Sequence, residues 1–184
     1  MGIPFCEKDN EAFRGVSRMD CMELLLSKKP ELKLDEAEKV ALADRKNQRY
    51  RSLLESITPS FVADGVRSTL ALLRERGYRL AVGSSSKNSG FILEKTELIA
   101  CFDAVVDGNS ISRSKPDPEV FLKAAAALGA EPAECAVIED AEAGLLAAKR
   151  GGMLPVAIGE AKHSPLAALA PESFEELADI FKLN

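Results

Sequence analysis

The sequence predicts an α/β fold, a three-layer parallel-sheet core joined to a helical lobe. Three observations carry this. Four short apolar runs rich in Val, Ile and Ala follow residue 77, and helix-patterned stretches separate them. Those runs are near-continuous rather than alternating, as in parallel strands covered on both faces. The first 58 residues contain no such run and read as helices after an irregular start.

Taken in order, "SRMDCMELLLSKK" (17–29) opens on a cap-like Ser17 and carries apolar residues at helical spacing. "LDEAEKVALADRKNQRYRSLLESI" (34–57) predicts a longer helix, with Leu34, Ala37, Val40, Ala41, Leu53, Leu54 and Ile57 available for one apolar face. "TPSFVADG" (58–65) breaks the pattern with Pro59 and Gly65 and reads as a linker. The expected domains are therefore 1–58, helical, and 59–184, α/β. In the second, the strands are "YRLAVGS" (78–84), "AVV" (104–106), "CAVI" (135–138) and "LPVAI" (154–158). The helices are "VRSTLALLRERG", "GFILEKTELI", "PEVFLKAAAALGA" and "EAGLLAAKRGG", with a last one over 172–182.

Composition removes several function classes. With 46% hydrophobic and 29% charged residues among 184, the chain is neither disordered nor fibrous. No apolar run approaches the roughly 20 residues of a membrane span, and no secretory signal opens the chain. A cytoplasmic protein without a membrane partner is expected. The formal charge is −5 and the Lys and Arg residues are scattered, which argues against a nucleic-acid partner. Cys6, Cys21, Cys101 and Cys135 form no CxxC pair, and Cys101 and Cys135 read as small core residues. His163 reads as a surface residue.

In an open α/β sheet, ligands bind beyond the carboxyl ends of the strands. Here those ends run into Ser84-Ser85-Ser86-Lys87-Asn88, into Lys115-Pro116-Asp117-Pro118, and into Glu139-Asp140. Each has a purely structural explanation. Serines cap turns, Asp117 and Pro118 can start a helix, and acids favour a helix N-terminus. Together they offer hydroxyls, an ammonium and paired carboxylates along one edge. Mg²⁺ takes one or two carboxylates with waters and a phosphate oxygen, and Ser84 and Lys115 suit the remaining phosphoryl oxygens.

Ser84, Lys115 and Glu139-Asp140, with "SKPDPEVF" and "IEDAEAG", resemble the second, third and fourth motifs of the haloacid dehalogenase (HAD) superfamily. Within it, "FRGVSRMD" (13–20), "DRKNQRY" (44–50) and "GSSSKN" (83–88) are similar to the β-phosphoglucomutase family. The resemblance implies a HAD-like Rossmannoid core beneath a partial helical cap. It implies substrate binding by Gly15, Val16, Arg18, Lys46, Ser86, Lys87 and Asn88, catalytic roles for Ser84 and Lys115, and magnesium on Glu139 and Asp140. The implied reaction interconverts β-D-glucose 1-phosphate and glucose 6-phosphate through an aspartyl-phosphate enzyme and a bisphosphate. The expected partner is a small sugar phosphate, and the full-length protein is expected to be a monomer. A sugar-phosphate phosphatase and a non-catalytic sugar-phosphate binder are the alternatives.

The family's first motif, a hydrophobic strand ending in Asp-x-Asp-Gly, is not present. Met1-Gly2-Ile3-Pro4-Phe5 resembles an interior piece of the cap, and "FDAVVDG" (102–108) has the wrong spacing. The expectation is an N-terminally truncated sequence, inactive as written and lacking the first core strand. Two neighbouring strands would then lose ladder partners, making the chain poorly stable or prone to aggregate.

Overall fold

The computed structural model describes residues 2–6 and 13–182. Met1, read as part of the cap, and residues 183–184, read as the end of the core, lie outside the described residues.

Among the described residues, two helices come first. Helix α1 (Arg18–Leu26) starts where the Ser17 side chain accepts a hydrogen bond from the Asp20 N–H. Helix α2 (Glu36–Leu54) begins in a capping box: Asp35 Oδ1 accepts from the Glu38 N–H at 2.9 Å, and the Glu38 carboxylate accepts from the Asp35 N–H at 2.9 Å. Met22, Leu26 and Ala43 form a small cluster bordered by Ile3, Met19, Leu32, Leu34 and Leu42. The apolar face expected along 34–57 forms only at its ends, at Leu34, Leu54 and Ile57. Ala37, Val40, Ala41 and Leu53 are exposed, and only Ala43 and Leu54 are buried. Helix α2 packs on α1 through Leu42 and Ala43, so a different side of the helix meets its partner.

The remaining elements alternate: α3 (Asp64–Glu75), β1 (Ala81–Gly83), α4 (Ser89–Lys95), β2 (Ala104–Val106), α5 (Glu119–Leu128), β3 (Ala136–Glu139), α6 (Glu142–Arg150), β4 (Leu154–Ala157) and α7 (Leu177–Ile180). Strand pairing is parallel, Ala81 opposite Ala104 in one pair and Ala136 opposite Leu154 in the other. Among the described residues, the strands form two separate pairs, and no ladder joins β1 to β3. One apolar cluster nonetheless runs beneath both pairs. It gathers Val106, Val137 and Met153 with Val120, Phe121, Ala124 and Ala125 of α5 and Ala147 and Ala148 of α6. Helix α5 lies on β1 and β2, and α6 on β3 and β4.

Several expected boundaries move; the strand expected over 78–84 covers only Ala81–Gly83, and the helix expected from Gly90 runs Ser89–Lys95. The linker is shorter, because Gly65 already sits in the first turn of α3, where a Cβ would stand 1.6 Å from Glu175 Oε1. The last helix shrinks to four residues, Leu177–Ile180. The Arg76 guanidinium donates to the carbonyls of Ala178 and Phe181, and Glu172 N–H bonds the Glu176 carboxylate at 3.0 Å. Helix α5 starts one residue late, at Glu119, although Asp117 Oδ1 still accepts the Glu119 N–H at 3.0 Å. Cys101 and Cys135 are half-buried, and His163 is exposed.

Candidate active site

The carboxyl ends of β1 and β3 meet at one buried side chain. Lys115 Nζ donates to Gly83 O at 3.1 Å and forms an ion pair with Glu139, the last residue of β3. It also lies 4.6 Å from the Phe121 ring centroid. The two side chains are only 5% and 9% exposed, so each charge depends on the other for compensation. Gly144 makes the room: a Cβ there would stand 2.2 Å from Glu139 Cδ. Asp140, the next residue, is exposed and has Arg14 4.0 Å away.

After β1 the chain turns through its serines. Ser84 N–H pairs with Val106 O, extending the ladder, while Ser84 Oγ accepts the Ser86 N–H at 3.2 Å. Ser86 Oγ accepts the Asn88 N–H at 3.1 Å. Ser85 is buried, and its hydroxyl donates to Gly15 O at 2.8 Å. Gly15 has φ +75°, a left-handed conformation that suits glycine, and a Cβ there would lie in ordinary contact with Lys115 Cδ and Ala141 Cβ, each at 3.6 Å. Across the turn, Asn88 Nδ2 donates to Asn47 Oδ1 of α2 at 2.9 Å.

A cleft of about 1320 Å³ lies between the helical pair and the α/β elements. Of the residues singled out from the sequence, Val16, Arg18, Lys46, Ser86, Lys87, Asn88 and Lys115 line it. Gly15 stands at its edge through the Ser85 bond, whereas Ser84, Glu139 and Asp140 are not in its lining. Arg18 is held by Asp44 at 2.8 Å. Burial pushes the Asp20 carboxyl up, but hydrogen bonds from Ser114 and Ser17 outweigh it and hold the group below its usual range. Burial pushes the Cys21 thiol up, only partly offset by the Lys46 ammonium.

Asp20, Asp44, Asn47 and Ser114 were missed from sequence. Asp20 looks like the third residue of a helix cap, and Asn47 was legible only as the neighbour of Lys46. Among the described residues, no three His, Cys, Asp or Glu side chains converge as a metal cage. Magnesium needs fewer protein ligands than that. Asp140 offers an exposed hard-oxygen donor, while Glu139 is already engaged by Lys115. The set fits a magnesium ion held mainly by water and phosphate.

A protein-family model described as haloacid dehalogenase-like hydrolase matches residues 2–152. The chain is 40% identical over 159 residues to a β-phosphoglucomutase of Bacillus subtilis, covering 86% of this chain and 70% of that one. It is 33% identical over 145 residues to hexitol phosphatase B of Escherichia coli, covering 76% of this chain and 64% of the phosphatase. Its fold superposes on a β-phosphoglucomutase structure from Clostridium difficile with a TM-score of 0.87 and 32% identity, over 96% of this chain and 79% of that one. Fold and sequence likeness thus agree over most of the length: the chain belongs to the haloacid dehalogenase-like hydrolase family.

Proposed function

We propose that this chain carries the sugar-phosphate site of a β-phosphoglucomutase, which interconverts β-D-glucose 1-phosphate and glucose 6-phosphate. The observation that carries the reading is the single cleft onto which Arg18 and Lys46 open from the helical side, and Lys87 and Lys115 from the α/β side. Cationic side chains from both sides suit a doubly phosphorylated substrate enclosed between them, Arg18 and Lys87 meeting at one phosphate and Lys115 serving the other. Arg18, Ser86, Lys87 and Asn88 hold the phosphate that is not transferred. Lys46 reaches the sugar, and the Gly15-Val16 backbone faces it. Ser84 Oγ and Lys115 Nζ hold the oxygens of the transferring group as charge builds on them. Asp140 would hold magnesium, which would supply charge neutralisation at the phosphoryl oxygens, and Glu139, expected beside it, would join only on release from Lys115. The aspartate that accepts the phosphoryl group is not among these 184 residues, so this chain alone binds without turning over.

Titration calorimetry of the 184-residue chain with glucose 6-phosphate and Mg²⁺ tests this. The expected result is tighter binding than inorganic phosphate, weakened about tenfold by Arg18→Ala and by Lys87→Ala, the loss of one charge-assisted contact each. Equal affinity for both ligands, or indifference to both substitutions, rejects the site. The likeness to hexitol phosphatase B supports a second reading, a sugar-phosphate phosphatase. Phosphate release from β-glucose 1-phosphate, without any glucose 6-phosphate, by a longer form that carries the family's Asp-x-Asp-Gly motif would select it.

A further inference from the structure

The segment from Ser110 to Lys115 is gripped from two sides. From below, Glu119 accepts the Ser112 N–H at 3.1 Å on each oxygen, the Ser112 hydroxyl at 2.8 Å and the Arg113 N–H at 2.8 Å. Lys123, one turn along α5, ties the same carboxylate at 2.7 Å and Ser110 O at 2.6 Å. From above, the Ser114 hydroxyl donates to the Asp20 carboxylate in the first turn of α1, 94 residues away in sequence. The Ser17 hydroxyl holds that same carboxylate oxygen at 2.6 Å. The residue that follows Ser114 is the buried Lys115.

We propose that Asp20 is a positioning residue: by docking on Ser114 it sets Lys115 as the helical side closes on the α/β side. With Glu119 fixing residues 112 and 113, Ser114 has little freedom, and any shift imposed at Asp20 passes through one peptide unit to Lys115. Nearby, Ser85 ties the same closure together, donating to Gly15 O at 2.8 Å while its oxygen lies 3.5 Å from the Lys115 N–H. Ligand binding in the cleft and placement of the lysine thereby become one event. The ligand side of this proposal rests on the sugar-phosphate reading above; the contact itself does not.

A double-mutant cycle on the 184-residue chain tests it, with Asp20→Ala, Ser114→Ala and the pair. Glucose 6-phosphate affinity and amide hydrogen exchange over residues 112–115 are the readouts. Each single change is expected to weaken binding about tenfold, and the pair no further than either alone. Exchange at 113–115 rises in both singles without ligand, while the melting temperature of Ser114→Ala stays that of the parent. Ser114→Thr keeps the hydroxyl and restores both readouts. Additive losses overturn the proposal, as do singles that change neither affinity nor exchange. A parent chain that binds no glucose 6-phosphate overturns the cleft reading instead, and the ligand-free exchange then decides the Asp20–Ser114 contact alone.

Discussion

Glu119 shows how much one carboxylate can organise. Its hydrogen bond from Lys123, then those from Ser112 and Arg113, hold it at about 2 against an ordinary 4.5. A carboxyl depressed in the folded state contributes its full stabilisation above the unfolded value and loses it as protons return. That stabilisation is therefore complete above pH 4.5 and fades as pH falls from 4.5 towards 2. Glu119→Gln should lower stability at neutral pH. The difference between parent and variant, followed by urea unfolding across a pH series, should shrink through that window. A constant difference would show that the ionised form is not what matters. Site residues of this kind were legible in the sequence where a motif placed them side by side, as with Ser86, Lys87 and Asn88. Asp20 with Ser114, and Asn47 with Asn88, pair across 94 and 41 residues, and nothing local to either partner announces the other.

Helices and strands were readable from their patterns, yet one helix carries a constraint that propensity reverses. Gly144, in the first turn of α6, should gain about 1 kcal/mol on replacement by alanine if helix propensity ruled. Its missing Cβ is instead the space occupied by the Glu139 carboxylate, with Cδ 2.2 Å from where that Cβ would lie. The Glu139 side chain can swing aside only by leaving Lys115, and a buried ammonium without its partner costs about 3–5 kcal/mol. Gly144→Ala should thus destabilise by about 2–4 kcal/mol net, seen as a lower urea midpoint. A stabilised variant would mean that the ion pair survives the new methyl. The same competition between local pattern and tertiary contact explains the elements that sequence misplaced. Among the described residues, the outer face of α2 has apolar residues but no partner to bury them, and the last helix begins only at Leu177, after the Glu176 carboxylate has taken the Glu172 N–H.

For the molecule as a whole, the decisive feature is that β1 and β3 each have a strand partner on one side only among the described residues. Both strands end at Lys115, and one apolar cluster runs under both pairs, so they share a core without sharing a ladder. No residue of β1 is fully buried, which is unusual for an apolar parallel strand. Unpaired backbone groups cost about 1–3 kcal/mol each where water cannot reach them, against a typical total stability of about 5–15 kcal/mol. Where water does reach them, the same edges are templates for another chain. The 184-residue chain should therefore self-associate: light scattering behind a sizing column should give a mass that climbs above 19.8 kDa as concentration rises. Amides of β1 and β3 should exchange fast in the dilute chain and become protected in the associated form. An invariant 19.8 kDa species with one cooperative melt would show that the two strand pairs stabilise each other well enough through α5 and α6, and that the open edges are no liability.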